Sequence, residues 1–215
     1  MYDVNVNREA AFTTYSYRLK YPIGDTQFWI EKIKHHEAEM REFTENKNLN
    51  SFGVATNNNL LNEYNFHELR DELCGIVTTL LKNLYVDDAK IELNDSWANV
   101  YRKNDHAPLH MHENSHWSCV YYLTHTGDSP LYFKDPRPTP IMDSSIPFLK
   151  NRYNQLVNKQ EFEPGEMIIF PSWLEHGVSM NKTDDIRVSL ACNFRVVYGR
   201  HDRQTTDYRK SKERI

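Results

Sequence analysis

The chain has 215 residues, a formal net charge of -4, 13% aromatic residues and seven glycines. That length suits one domain with a sizeable core, and the composition excludes low complexity or disorder over most of it. The acidic balance argues against a general nucleic-acid binder, no apolar run approaches a membrane span, and the opening MYDVNVNREA has no signal-peptide core, so a soluble, cytoplasmic protein is expected.

In chain order, the first third reads helical. Asp25 is placed to cap a helix through TQFWIEKIKHHEAEMREF, with Trp29, Ile33 and Met40 near one face. The polar run TENKNLNSFGVATNNN reads as a loop. Asn65 is then placed to cap FHELRDELCGIVTTLLKNLY, with Glu68 answering the cap and Phe66, Leu69, Leu73, Ile76, Leu80 and Leu84 as the buried stripe. From about Ala89 the period changes to alternation. IELNDSWANVY, HWSCVYYLTH, SPLYFKDP, EMIIFPSW and DIRVSLACNFRVVY read as strands, with HTGD (125–128) as a hairpin turn, EPGE (163–166) opening a strand and MNKTDD (180–185) as a third turn. Residues 134–160 carry Pro136, Pro138, Pro140 and Pro147, a long connection with the character of a lid. The expectation is an α+β fold, a β-sandwich or barrel backed by helices. It divides into a helical support region 1–88, a β core 89–199 and a charged tail 200–215. Cys74, Cys119 and Cys192 are odd in number, far apart and free of a C-x-x-C pattern, which fits reduced core thiols.

Five of the ten histidines, at 106, 110, 112, 116 and 125, fall within one short stretch. HMHENSH (110–116) admits two readings. As H-E-x-x-H it would place His112 and His116 on one face of a helix with Glu113 as the base of a metalloprotease. Pro108 just before it, Asn114 and Ser115 within it, and the strand-like WSCVYYL after it resist a helix. As H-x-H on a strand, His110 and His112 point to one side, about 6–7 Å apart along the chain, and can share an ion if a third ligand arrives from elsewhere. His176, in FPSWLEHGV, is the candidate. In IRVSLACNFRV the alternation puts Val188, Leu190, Cys192, Phe194 and Val196 on one face and Arg187, Ser189, Asn193 and Arg195 on the other. If the polar face turns inward, Arg187 needs an anion, because an unpaired buried guanidinium is very costly. Its forked donor suits a carboxylate, with the Ser189 hydroxyl in support.

In their order and spacing these residues resemble the 2-oxoglutarate- and Fe(II)-dependent dioxygenases, in particular the prolyl-hydroxylase-like branch and its H-x-H subgroup. The resemblance covers about residues 97–197: His110-Met-His112, VYYL (120–123), GEMIIFPSWLEH ending at His176, and Arg187-Val-Ser189. It implies a double-stranded β-helix, a jelly roll of the cupin type. It implies Fe(II) held by His110, His112 and His176, 2-oxoglutarate held by Arg187, Ser189, Tyr122 and Tyr101, and O2 as the oxidant. The implied activity is oxidative decarboxylation of 2-oxoglutarate coupled to hydroxylation of a protein side chain or small molecule. His112 departs from the family, which has a carboxylate there; Glu113 and Asp105 are nearby carboxylates without the i+2 placement. The nucleic-acid demethylase branch has a further Arg on the last strand, and Arg195 stands at a different spacing. Two other readings stay open: a cupin-like three-His dioxygenase that does not use 2-oxoglutarate, and a non-catalytic metal-binding module.

Overall fold

A computed structural model describes residues 13–45, 54–56, 58–85, 89–137 and 157–198. The Asp25 cap forms as the sequence predicts: its carboxylate accepts the Phe28 N–H at 3.1 Å, and α1 (Thr26–Glu45) follows. Trp29 and Ile33 are buried; the Met40 side chain lies outside the described residues. Glu37, also on α1, is only 1% exposed and meets the Arg102 guanidinium in two bonds of 2.6 and 2.7 Å. That fork fastens α1 to the residue after the longest strand.

The second helix departs from expectation at both ends. Tyr64–Phe66 forms a 3-10 turn, so α2 runs His67–Lys82 with Phe66 at its cap position and no side-chain cap bond. Asn65 is drawn into that turn, and its carbonyl accepts the Lys32 ammonium instead. The helix is also rotated relative to the predicted stripe. Leu69 and Leu73 are buried as expected, but Val77 and Leu81 complete the row, while Ile76 and Leu80 lie at its margin and Leu84 is exposed. Within the predicted 44–59 loop, Val54–Ala55 pairs as a short strand, β2, and residues 46–53 and 57 lie outside the described residues.

The remaining strands are β1 (Tyr17–Lys20), β3 (Ala89–Tyr101), β4 (Ala107–His110), β5 (Trp117–Tyr122), β6 (Leu131–Lys134), β7 (Val157–Gln160), β8 (Glu166–Pro171), β9 (His176–Val178) and β10 (Arg187–Tyr198). They form a six-stranded sheet, β1-β8-β5-β10-β3-β2, and a four-stranded sheet, β4-β9-β6-β7. From β3 onward the chain passes repeatedly from one sheet to the other, which makes a double-stranded β-helix. HTGD is one of these passages. The chain does turn there, with Ser129 N–H on the Thr126 carbonyl at 2.9 Å, but it joins β5 of one sheet to β6 of the other rather than closing a hairpin. At EPGE, Gly165 takes φ +84°, a conformation open to glycine at little cost, and Glu166 enters β8. In MNKTDD the buried Asn181 organises the turn, donating to the Asp185 carbonyl at 2.7 Å and accepting from Thr183 N–H at 3.1 Å.

The two faces of the larger sheet have different partners. Val188, Leu190, Cys192 and Phe194 of β10 join the helices in one core, together with Ile23, Trp29, Leu69 and Leu73. The helical region and the sheet therefore share a single packed layer. Between the sheets lies a second cluster, with Tyr101, Tyr122, Phe133, Ile168, Phe170 and Val178. The three cysteines are free thiols. The segment 138–156, which includes most of the expected lid, and the tail from 199 lie outside the described residues.

Gly177, in the middle of β9, is a tight point. A Cβ there would lie 2.6 Å from the Tyr132 hydroxyl on one side and 2.9 Å from the Ala107 carbonyl on the other. Gly177→Ala should therefore lower stability by roughly 1–3 kcal/mol, as overpacking does. Urea unfolding of the two proteins measures it, and an unchanged midpoint would show that β9 has room to move.

Candidate metal centre

The smaller sheet brings the first two histidines together by strand pairing. His110, the last residue of β4, and His176, the first of β9, are direct cross-strand partners, and their ring centroids are 4.4 Å apart. His112 follows two residues after His110, but the strand has already ended, so the H-x-H pair is half on a strand and half beyond it. The chain past His110 is held instead by His112 N–H on the Ser172 carbonyl at 3.0 Å. The His112 ring stands 5.0 Å from each of the other two. The three rings form a near-equilateral group whose ligating nitrogens all lie within 4.8 Å of one another, a donor set able to share one ion. No carboxylate belongs to this group among the described residues.

Hydrogen bonding and burial prepare the imidazoles as ligands. Nδ1 of His110 and Nδ1 of His176 each lie 2.8 Å from a backbone carbonyl two residues back, Pro108 and Leu174. Donation to those carbonyls keeps the proton on Nδ1 and leaves the Nε2 lone pair free. Burial pushes the His176 pKa down to about 3 and the His112 pKa down to about 4, with the neighbouring His110 adding to both. Phe170 packs against His176 at 4.7 Å.

Glu113 and Asp105 stay outside. Residues 111–116 form a turn with Asn114 at φ +64°, which rules out the helix that H-E-x-x-H requires. His116 faces away from the group, and its Nδ1 accepts the Val196 N–H at 3.0 Å. Asp105 caps the turn after β3 by accepting the Arg102 N–H at 2.8 Å.

On the inner face of β10, Arg187, Ser189 and Asn193 are all buried, so the polar face does turn inward. Arg195 does not follow. The alternation of β10 continues, but its pairing with β5 ends at Phe194, and beyond that point Arg195 is exposed with its Nε on the Asn114 carbonyl at 2.6 Å. Arg187 is 3% exposed and lies between two phenol rings, 5.0 Å from the Tyr101 centroid and 5.3 Å from that of Tyr122. One guanidinium nitrogen donates to the Ser129 carbonyl at 3.1 Å. Among the described residues its Nε, the Tyr122 hydroxyl and the Ser189 hydroxyl have no well-formed hydrogen bond, although the guanidinium lies close enough to the Tyr122 hydroxyl to act on it. Ser189 and Tyr122 are cross-strand neighbours, and Tyr101 stands opposite Arg187 on β3. Burial raises the pKa of both phenols, against the pull of Arg187, so both keep their protons at neutral pH. Three unsatisfied donors beside one fixed positive charge are the complement of a carboxylate. Each costs about 1–3 kcal/mol if left unpaired.

Two supporting groups were not anticipated. Behind His112, Ser118 Oγ donates to Asn193 Oδ1 at 2.7 Å and meets Ser172 Oγ at 2.9 Å, and Asn193 Nδ2 donates to Asp95 at 2.6 Å. This chain of bonds locks the segment whose carbonyl holds His112. Trp97 lies against the His112 ring at 5.3 Å. The signal for Trp97 was present in WANVY, where alternation gives it the same face as Tyr101.

A family model described as "Putative 2OG-Fe(II) oxygenase" matches residues 95–193. Among solved structures the chain is similar to HygX from Streptomyces hygroscopicus, solved with nickel and 2-oxoglutarate, at 12% identity and TM-score 0.53 over 85% of this chain and 82% of that one. It is similar to AviO1 from Streptomyces viridochromogenes Tue57 at 12% identity and TM-score 0.54, covering 85% and 90%. Against an oxidoreductase of the 2OG-Fe(II) oxygenase family from Burkholderia pseudomallei the identity is 15% and the TM-score 0.43, and the chain spans 51% of that protein's length. No curated relative matches the chain by sequence. No helix among the described residues is long and apolar enough to cross a membrane.

An unfolded histidine takes its proton near pH 6.5, whereas the two buried rings take theirs only near pH 4 and pH 3. Between those limits the unfolded state binds more protons, so the metal-free protein loses stability as the pH falls from about 6.5 to 4, by on the order of 1 kcal/mol per pH unit per ring. Urea midpoints measured across that range should show the slope, and His112→Gln with His176→Gln should flatten it. An equal slope in the double variant would place the proton uptake elsewhere.

Proposed function

We propose, for a chain whose residues 95–193 belong to the 2OG-Fe(II) oxygenase family, that His110, His112 and His176 hold Fe(II) and that Arg187, Ser189, Tyr122 and Tyr101 hold 2-oxoglutarate. The observation that carries this reading is the set of unpaired buried donors at Arg187, Tyr122 and Ser189 inside the same sandwich as the three imidazoles. A structural polar cluster would have satisfied itself. This one leaves donors of the number and charge that a carboxylate requires.

Each residue has a definite part. The carbonyls of Pro108 and Leu174 fix the tautomers that direct Nε2 of His110 and His176 to the ion. Arg187, held by the Ser129 carbonyl and flanked by the two phenols, grips the distal carboxylate of 2-oxoglutarate, with Ser189 and Tyr122 donating from the same side. Phe133, Phe170 and Ile168 keep water out of the space between. With iron and 2-oxoglutarate bound, the centre supplies O2-dependent oxidation coupled to loss of CO2 from 2-oxoglutarate, and the proposed outcome is hydroxylation of a C–H bond in a protein side chain or small molecule. The three-His dioxygenase reading explains His112 but gives no ligand to the Arg187 pocket. A metal-binding module explains the imidazole lone pairs but not the unpaired donors around Arg187.

Anaerobic addition of Fe(II) and then 2-oxoglutarate to the metal-free protein should produce the metal-to-ligand charge-transfer band only when both are present. Arg187→Ala should retain Fe(II) and weaken 2-oxoglutarate binding roughly 30-fold or more, the scale for removing one partner of a buried charged pair. A band of unchanged midpoint in Arg187→Ala would remove Arg187 from the pocket. No band in the wild type, with iron shown to be bound, would favour a centre that works without 2-oxoglutarate.

A further inference from the structure

We infer that Trp97 is the positioning residue for His112, the imidazole that stands where a carboxylate ligand is usual. The inference rests on the three-His reading above and concerns how the third ligand is aimed.

The three histidines are not held alike. His110 and His176 each have Nδ1 tied to a carbonyl two residues back, which fixes ring orientation and tautomer together. Among the described residues the His112 ring makes no such bond. Only its backbone is anchored, through its N–H on the Ser172 carbonyl, and that leaves both side-chain torsions to be set by packing. Besides its fellow ligands, the aromatic ring that packs on it is Trp97, at 5.3 Å and an interplanar angle of 55°.

Trp97 is itself well fixed. It sits on β3, opposite Ala191 of β10, whose small side chain leaves the indole room on the inner face. Its Nε1 donates to Asn99 Oδ1 at 3.1 Å, which locks the indole plane. A bond to a carbonyl would aim His112 by direction; a rigid flat wall aims it by exclusion. The second device costs the ring no proton, so either tautomer can present a lone pair. A flexible side chain in place of the indole would free the His112 ring to turn away, and the ordering entropy would then be lost on each binding event. Residues that orient a metal ligand typically contribute 10–100-fold to metal affinity.

The test is Co(II) titration of the metal-free protein, read by the visible ligand-field bands, in wild type, Trp97→Leu, Trp97→Phe, His112→Ala and the Trp97→Leu/His112→Ala double variant, each with an unfolding midpoint. Trp97→Leu should weaken Co(II) about 10-fold or more and shift the bands toward those of His112→Ala. Trp97→Phe, which keeps a flat wall, should recover most of the affinity and the wild-type bands. The double variant should bind no more weakly than His112→Ala, because the indole acts only through that ring. Wild-type affinity and bands in Trp97→Leu overturn the inference, as do losses that add in the double variant, which would mark a general packing role. If Trp97→Leu fails to fold, Trp97→Phe against the softer Trp97→Met decides by the same bands. Wild-type behaviour of His112→Ala would instead overturn the three-His reading beneath it.

Discussion

The constraint on which the site depends is the burial of β10 on both faces. From Arg187 to Phe194 every residue is buried, so neither side of the strand can be given to solvent. Alternation then sorts the chemistry. The face with Val188, Leu190, Cys192 and Phe194 can only meet other apolar groups, and the helices supply them. The opposite face must take Arg187, Ser189 and Asn193 into a closed interior. Asn193 is satisfied by Ser118 and Asp95. Arg187 is satisfied in part, by one carbonyl and two aromatic faces, and its Nε has no partner. One end of the strand is thus finished by protein, and the other leaves buried donors unpaired among the described residues.

The same strand connects the two halves of the candidate site. Its Asn193 end reaches, through Ser118 and Ser172, the carbonyl that holds His112. Its Arg187 end lies beside Tyr101 and Tyr122. The helical layer stabilises this arrangement from behind, and the Glu37–Arg102 fork ties α1 to the end of β3, next to Tyr101. The helices therefore contribute to function by keeping the sheet from relaxing around an incompletely satisfied guanidinium.

Much of this was legible because alternation is a local property. Strands β3, β5, β6, β8 and β10, the inward face of β10 and the irrelevance of H-E-x-x-H all follow from residues a few positions apart, and His176, the candidate third ligand, does come beside His110 and His112. What escaped was set by contacts between distant segments. The phase of α2 could not be read, because Val77 and Leu81 are selected over Ile76 and Leu80 by where the sheet lies, and the 3-10 turn at Tyr64–Phe66 takes Asn65 away from the cap. HTGD has hairpin chemistry, yet the sandwich closure sends its two strands to different sheets. Arg195 keeps the phase that counting gives it but lies past the last residue paired with β5, where it is exposed. The helix pattern gives no sign of the buried Glu37, whose partner Arg102 lies 65 residues away, just past β3.

In the proposed iron site, a third imidazole where a carboxylate is usual would alter the charge balance of the interior more than its shape. With His112 and His176 held neutral well below pH 6 by burial, no carboxylate among the described residues joins the imidazole group, and Arg187 adds a buried positive charge to the interior. A divalent ion would add two more, and no ligand in the imidazole group offsets them. In a low-dielectric interior such charges need compensation close at hand. A dianion that reaches both the ion and Arg187 compensates both at once, so metal and co-substrate should stabilise one another more here than in a site with its own carboxylate. Neutral ligands also place the burden of holding the ion on geometry rather than on attraction. In the proposed centre the details of aim, two carbonyls behind His110 and His176 and an indole beside His112, would therefore carry more weight than in one with a charged ligand.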